Sequence, residues 1–257
     1  MSQIADRLQK PSATQRRASY GIDAPGAVLA SAALGSILAL VAAMGLGWPW
    51  PIPIPASLGI AALPFAALFL LWTEEALRAS LFGKQRVRDR LVAALDLKGN
   101  ERVLDAGCGR GLALVGCAKE LTTGKAIGID LWAAKDQSGN NPDATRANAR
   151  AEGVADRIEV ETGDITKLPF ADASFDAIVS MTVIHNIPTR AARDRALAEL
   201  VRVLKPGGRV AIFDLLHTKR YAKVLQQSGL KVRWLGTDFL WGFHCRSLIA
   251  QKSPAAP

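Results

Sequence analysis

The sequence lacks charge over one long stretch: residues 24–73 contain no Asp, Glu, Lys, Arg or His. A surface helix of a soluble protein carries polar residues on one face, so a charge-free stretch of this length indicates a different solvent. The chain also has only three cysteines, Cys108, Cys117 and Cys245. Their spacing matches neither a metal site nor a disulfide framework, which excludes a disulfide-stabilised secreted domain and predicts no metal.

Two apolar runs fill the charge-free stretch. Residues 27–47 and 56–73 contain 21 and 18 residues, and a helix of about 20 residues crosses the roughly 30 Å hydrocarbon core of a bilayer. Alternate prolines between residues 48 and 55 are incompatible with a helix and predict a short Pro/Trp turn. The sequence therefore predicts transmembrane helix 27–47, turn 48–55 and transmembrane helix 56–73.

Basic residues flank this hairpin, and the turn has none. They lie in the tail of residues 1–26 and again from Arg78 onward. By the positive-inside rule the tail and everything after residue 73 face the cytoplasm, which predicts a multi-pass protein of the cell membrane. The alternatives are a cleaved signal peptide, which usually has a shorter apolar region, and a buried hairpin, which should carry a polar stripe.

The composition becomes ordinary after the hairpin. Residues 74–98 place Val87, Leu91 and Leu95 at helical intervals and predict a linking amphipathic helix. Apolar strands and amphipathic helices then alternate, which is typical of an α/β fold with a doubly wound, mostly parallel sheet. In such sheets the ligand binds at the carboxyl ends of the strands.

A glycine-rich turn, VLDAGCGRG, follows the first predicted strand. Its glycines are Gly107, Gly109 and Gly111. Glycine lets the backbone approach a ligand closely, Asp105 precedes the turn, and the next strand ends in Asp130, where an acid meets ribose hydroxyls. Leu112 stands where a dinucleotide-binding turn has its third Gly or Ala, which disfavours a nicotinamide-dependent oxidoreductase.

Four segments resemble the class I S-adenosylmethionine-dependent methyltransferases, in particular the methyltransferase type 11 subgroup with the quinone-type enzymes. VLDAGCGRG resembles the first motif of that family, and IGIDLW its second strand. GDITKLPFADASFDAIVS resembles the adenine-side loop and fourth strand, and LVRVLKPGGRVAIFD the region through the fifth strand. The resemblance covers about residues 102–215 and implies a seven-stranded Rossmann-like methyltransferase domain over residues 99–257.

The resemblance also implies where S-adenosyl-L-methionine, the expected cofactor, would bind. Asp105 and residues 107–111 would line its methionine and ribose, and Asp130 would accept hydrogen bonds from both ribose hydroxyls. Asp164 and Ile165 would hold the adenine. The predicted cofactor-binding set is completed by Leu131 and Ser180. The alternatives are a strand-end cap at Asp130 and turn-stabilising roles at Asp105 and Asp164.

His185 is the candidate general base, since it lies just past the fourth strand at the open end of the sheet. A base is needed only when the methyl acceptor must lose a proton, and a histidine pKa near about 6.5 suits neutral pH. A capping or orienting role is the alternative. Asp214 and His217, after the fifth strand, are second choices for catalysis.

The polar run of residues 135–141, KDQSGNN, allows two interpretations. It is either a loop that ends in a helix cap at Asn141 or Asp143, or a rim over the cofactor or substrate formed by Asp136, Gln137 and Ser138.

The sequence predicts a membrane-anchored methyltransferase that acts on a small, apolar or amphipathic, lipid-soluble acceptor. The alternatives are a non-catalytic S-adenosylmethionine-binding membrane subunit and a soluble enzyme with a misread signal. Nucleic acid is not an expected partner, because much of the basic charge flanks the spans, where anionic lipid explains it. We expect deletion of residues 1–73 to reduce turnover on such acceptors more than cofactor binding.

Overall fold

The structure is a computed structural model that describes residues 18–49, 54–133 and 136–254. Two apolar helices come first, α1 (Pro25–Gly45) and α2 (Ala56–Arg78). A π-helical turn, Ala79–Gly83, joins α2 to α3 (Lys84–Leu95). The helix that begins at Ala56 therefore continues to Leu95 over 40 residues. It has no break where the second predicted span meets the predicted linking helix.

Helices α1 and α2 pack on each other through small residues. A Cβ atom added to Gly45 would lie 2.6 Å from the Cα atom of Gly59, so the two backbones are in contact there. The Ser31 hydroxyl donates to the Phe69 carbonyl at 2.9 Å. The large side chains point away from the pair and are 53–71% exposed: Leu29, Ile37, Leu58, Phe65, Leu68 and Leu71. Both helices are long and apolar enough to cross a membrane.

Parts of the predicted anchor lie outside the described residues. The Pro/Trp turn at 48–55 is described only at residues 48–49 and 54–55, and the tail of residues 1–26 only from residue 18.

A mixed sheet forms the rest of the described chain, with the strand order β3-β2-β1-β4-β5-β7-β6. Its strands are β1 (Arg102–Ala106), β2 (Lys125–Asp130), β3 (Ile158–Thr162), β4 (Phe175–Met181), β5 (Leu204–Asp214), β6 (Lys231–Leu240) and β7 (Phe243–Gln251). Strands β1 to β5 pair in parallel, and β7 pairs antiparallel with both β5 and β6. The predicted mostly parallel, seven-stranded Rossmann-like sheet is confirmed.

Helices cover both faces of the sheet, as a doubly wound fold requires. They are α4 (Leu112–Glu120), α5 (Pro142–Ala151), α6 (Arg190–Val203) and α7 (Thr218–Gln227). One buried apolar cluster includes side chains of α3, α4 and α5, and a second includes those of α6 and α7. Neither α7 nor β6 was predicted from the sequence. Strand β6 is an edge strand with little regular burial, whereas α7 buries Tyr221, Ala222 and Leu225 at helical spacing, a signal that the sequence does carry.

The apolar helices are docked to the domain at the carboxyl edge of the sheet. The indole Nε1 of Trp72 donates to the Trp241 carbonyl, and that of Trp241 to the Ser80 hydroxyl, both at 3.1 Å. Trp241 lies in the β6–β7 turn, and the antiparallel pairing of β7 puts this turn beside the end of β5. A Cβ atom on Gly83 would lie 2.6 Å from Cδ2 of Leu240 in the same region.

Candidate active site

A cavity of about 470 Å³ opens at the carboxyl ends of the parallel strands. It brings together seven of the residues predicted to bind the cofactor: Asp105, Gly107, Gly109, Asp130, Leu131, Asp164 and Ile165. These residues lie at or just after the ends of the three strands β1, β2 and β3, so the parallel register of the sheet is what assembles them.

The glycine turn packs closely against other parts of its own chain. All three glycines have positive φ, with values of 83°, 50° and 83° at Gly107, Gly109 and Gly111. A Cβ atom on Gly107 would lie 2.3 Å from the Val183 side chain. Gly111 is not part of the cavity wall: it precedes α4, and a Cβ atom there would lie 2.8 Å from Cγ2 of Thr145.

Asp130 closes the glycine turn onto the end of β2. Its Oδ2 atom accepts from the Gly109 amide at 2.8 Å, and its Oδ1 atom accepts from the Trp132 amide at 2.6 Å. A carboxylate has about four lone-pair sites, and Oδ1 also accepts from Nδ2 of Asn140, so Oδ2 is the oxygen that can still accept from a ligand. Strand-end capping and ligand binding, the two interpretations of Asp130, are therefore compatible.

Asp105 is buried at the base of the cavity and is only 2% exposed. Its Oδ2 atom has no hydrogen-bond partner within the described residues. Burial, with a further contribution from the charge of Asp130, raises the pKa of Asp105 to about 8. An unpaired buried acceptor costs folding free energy, so it indicates a ligand that donates a hydrogen bond, preferably a cationic one.

Asn140 is a cavity residue that the sequence did not single out. Its Nδ2 atom donates to Asp130 at 3.4 Å, and its Oδ1 atom is buried with no partner among the residues that the structure describes. Asn140 and Asp105 thus offer two acceptors to a ligand beside Asp130. In the sequence, the only feature that points to Asn140 is its position in the polar run after β2.

The run of residues 135–141 combines both of its proposed interpretations, with Lys135 outside the described residues. The Asn141 side chain caps α5 by accepting from the Ala144 amide at 2.8 Å. Asp136 and Gln137 line the cavity, as the rim interpretation expects, whereas Ser138 does not.

The opposite wall of the cavity follows β2 and β3 and is partly apolar. Leu131 is 64% exposed, and Ile165 is buried beside Asp164. One Asp164 oxygen accepts from the Thr166 amide at 2.8 Å, which shapes this loop. Two apolar side chains with a carboxylate nearby suit a flat heteroaromatic ring with an exocyclic amine.

Ser180, which the resemblance predicts to bind the cofactor, is not part of the cavity wall. Its side chain is buried, and its hydroxyl donates to the Ala106 carbonyl at 2.9 Å, so it connects β4 to β1. The next residues, Met181 and Thr182, reach the cavity instead.

His185 and Asp214 form a pair beside the cavity, although neither belongs to its wall. Asp214 is fully buried and accepts from the His185 amide, the Leu215 amide and the Tyr221 hydroxyl, at 2.9, 2.9 and 3.2 Å. It also contacts Nδ1 of His185. These four contacts place Asp214 where it can orient His185, and its predicted catalytic role stays a prediction. His217 only precedes α7.

The comparisons with known proteins agree on one domain. Residues 104–212 match the family model described as "Methyltransferase domain". Methyltransferase GfsG from Streptomyces halstedii is 35% identical over 133 residues, which are 51% of this chain and 44% of that protein. Demethylmenaquinone methyltransferase from Lactiplantibacillus plantarum is 34% identical over 128 residues, 49% of this chain and 50% of that protein. The chain thus spans about half the length of these curated relatives.

The fold is also similar to a solved structure. Magnesium protoporphyrin IX methyltransferase from Synechocystis PCC 6803, with bound S-adenosylmethionine, aligns with a TM-score of 0.56 and 20% identity. The alignment covers 71% of this chain and 84% of that one. At this identity the similarity concerns the fold.

Proposed function

Because the chain contains a class I S-adenosylmethionine-dependent methyltransferase domain, we propose that it methylates a small apolar or amphipathic acceptor at a membrane surface. S-adenosyl-L-methionine is the cofactor. One observation carries the proposal: the cavity opens at the edge of the sheet where the two apolar helices are docked. A lipid-dissolved acceptor would therefore meet the donor without crossing the domain.

The chemistry of the cavity fits the donor. Bound S-adenosylmethionine supplies an electrophilic methyl group on a sulfonium, which an in-line displacement transfers. Its ammonium group matches the unpaired acceptor of Asp105, and its ribose hydroxyls match Asp130 and Asn140. The adenine would lie along Leu131 and Ile165. The protein contributes alignment of donor and acceptor and exclusion of water.

The membrane location rests on the surface of the apolar helices. A helix pair in water buries its large apolar side chains, whereas this pair buries glycine, alanine and serine and exposes leucine and phenylalanine. Only 22% and 17% of the most apolar windows of the two helices are buried. We infer a two-span anchor with both ends in the cytoplasm.

The nature of the acceptor is supported by the cavity and by one relative. The wall after β4 adds Met181, Val183, Ile187 and Pro188, which present mainly apolar surface. The name of the Lactiplantibacillus relative gives demethylmenaquinone, a quinone, as its substrate. Exposed Phe82 and Phe243, beside the docked end of the anchor, would add an apolar contact with lipid.

His185 is the proposed base for acceptors that must lose a proton. Asp214 occupies Nδ1, so only Nε2 is free to take that proton. Replacement of His185 by Ala should lower kcat by about 100-fold or more if it is the base. A nearly unchanged kcat would indicate that His185 has an orienting role and is not the base.

The test uses full-length protein in liposomes with labelled S-adenosylmethionine and a panel of quinols, phenols, thiols and lipid extracts. We expect label in an apolar product. Asp130→Ala should weaken donor binding by about 2–4 kcal/mol, because ribose hydroxyls would lose their acceptor. Donor binding without turnover on any acceptor would favour a non-catalytic binding subunit. Equal methylation of a water-soluble acceptor in liposomes and detergent would contradict the membrane-surface acceptor.

A further inference from the structure

Residues 19–23, which we call the N-terminal strap, lie across the glycine turn. The Ser19 carbonyl accepts from Nε of Arg110, a residue of that turn, at 2.8 Å. Ser19 also exchanges two hydrogen bonds with the Asn148 side chain, at 2.8 and 2.9 Å. Ile22 exchanges two with Ser138, at 2.9 and 3.0 Å. The strap is therefore bonded to the turn, to α5 and to the loop after β2.

The buried ammonium group of Lys84 donates hydrogen bonds to the strap. Lys84 is 3% exposed, and its ammonium donates to the carbonyls of Tyr20 and Gly21 at 2.8 and 2.9 Å and to the Asp23 carboxylate at 3.1 Å. Burial lowers the pKa of Lys84, and the charge of Asp23 opposes that shift. All three ammonium donors can thus be satisfied by the strap, which replaces water around this cation. Lys84 and Asp23 both belong to the cavity wall.

Gln137 connects the strap to the glycine turn through one side chain. Its Oε1 atom accepts from the Arg110 amide at 3.0 Å. Its Nε2 atom donates to the Tyr20 carbonyl at 3.0 Å and to the Asp23 carboxylate at 3.2 Å. A ligand that fixes the turn therefore also fixes Gln137, and with it the strap.

The strap fits closely against the glycine turn and the loop after β2. Gly21 has a φ of +68°, and a Cβ atom there would lie 2.9 Å from both Cδ of Arg110 and the Ser138 carbonyl oxygen. Only a glycine fits this conformation and space. The apolar helix α1 begins at Pro25, two residues after Asp23. The cavity wall and the apolar helix α1 are therefore adjacent in the sequence.

We propose that the N-terminal strap is a structural part of the donor site, so that the segment entering α1 helps to hold S-adenosylmethionine. Lys84 and Gln137 are its positioning residues. The inference rests on the proposed function, which names the ligand. Coupling is reciprocal: if the bound donor stabilises the closed strap, any change that opens the strap weakens donor binding by the same factor.

The first test measures the donor dissociation constant by calorimetry, with the full chain in lipid nanodiscs. Gly21→Ala opens the strap by steric conflict, and Gln137→Ala removes its connection to the turn. Each should weaken binding by roughly tenfold or more, within the usual range of coupling between sites. Gly26→Ala is the matched control, because a Cβ atom at Gly26 meets nothing within 4 Å. Unchanged affinity in a folded Gly21→Ala and in Gln137→Ala would overturn the inference.

The second test needs no variant. Hydrogen exchange reports the Ile22 and Ala24 amides, which donate to Ser138 Oγ and the Asp136 carbonyl at 2.9 and 3.1 Å. S-adenosylmethionine should slow exchange at the strap together with residues 107–111. Slowing at the turn alone would show that the strap only packs, and would refute the inference while leaving the proposed function intact. A wild-type chain that binds no S-adenosylmethionine would refute both.

Discussion

The apolar hairpin and the sheet domain place their large apolar side chains in opposite ways: exposed in the hairpin and buried in the domain. In the hairpin, Phe65 is 56% exposed and the contact between helices is made by residues such as Gly45 and Gly59. In the domain, Phe175 is fully buried, and its ring packs edge-on against Phe170 with 4.9 Å between centroids. Where water is the solvent, large apolar groups are driven inward. Where lipid is the solvent, that drive vanishes and close backbone contact decides the packing.

The largest expected effect on stability comes from replacing a phenylalanine by alanine in each of the two regions. Phe175→Ala should lower the free energy of unfolding of the domain by about 3–5 kcal/mol, because it removes a buried ring and leaves a cavity. Phe65→Ala should cost less than about 1 kcal/mol in bilayers, where lipid fills the space. Denaturant titration of the two variants in nanodiscs measures the difference. Similar losses at both positions would mean that Phe65 lies in a protein core.

A charge placed on the hairpin tests its solvent directly. Phe65→Asp puts a carboxylate near the middle of the second apolar run, at a cost of about 3 kcal/mol for membrane insertion. Phe65→Leu is the control and should insert like the wild type. The measurement is the membrane-bound fraction after carbonate extraction. If Phe65→Asp inserts as well as Phe65→Leu, the exposed apolar surface does not face lipid.

The glycine contact between the helices can be broken by a small side chain. A Cβ atom on Gly59 would lie 2.7 Å from the Gly45 Cα atom, so Gly59→Val should separate α1 from α2 and cost about 1–3 kcal/mol. Ala61→Val, at an exposed position of α2, is the matched control. Titration with SDS in bicelles reports the stability of the pair. Equal stability of the two variants would contradict packing by close backbone contact.

The buried charges of the domain have no counterpart in the hairpin, and Asp105 predicts a pH effect. Its folded-state pKa of about 8 lies above the ordinary carboxyl value, so below pH 8 the free site holds a proton. The donor ammonium favours the ionised form. Binding should release a proton, and affinity should therefore rise by up to about tenfold per pH unit until pH 8.

Calorimetry in buffers of different ionisation enthalpy measures this proton release. The pH dependence of stability runs in the opposite direction to that of affinity. Because the folded state holds the Asp105 proton more tightly than the unfolded chain does, the contribution of Asp105 to the free energy of unfolding decreases from about pH 4 to pH 8. Asp105→Asn should abolish both trends. Proton release that persists in Asp105→Asn would assign the effect to another group.

Much of the domain was predictable because its signals are local. The strand β4 has the bounds of the apolar segment FDAIVSM, and the strand ends that carry Asp105 and Asp130 follow from short apolar runs. Parallel pairing then brings these ends to one edge, so the cavity could be predicted as well. Ser180 shows the limit: neighbouring side chains of a strand point to opposite faces, and an error of one residue moves a side chain out of the site.

The apolar hairpin was predicted as a tether, and the further proposal gives the segment before it a second role in donor binding. Deletion of residues 1–73 is expected to reduce turnover more than donor binding, but it also removes the strap, so under the further proposal donor binding weakens as well. Lys84 and Gln137 contact Tyr20 across 64 and 117 residues of sequence. No periodicity or motif reports contacts at such separations, because each residue involved is an ordinary polar residue in its own segment.

By itself the sequence determined which part of the chain is apolar and free of charge, where most of the strands and helices lie, and that a glycine turn with two carboxylates lies at the sheet edge. These properties follow from local composition and from the two backbone periodicities. Only the tertiary structure decided that Asp214 pairs with His185, that Asn140 donates to Asp130, and that residues 19–23 lie across the glycine turn. These contacts depend on which buried polar atoms find partners once distant segments pack, and that is a property of the folded chain as a whole.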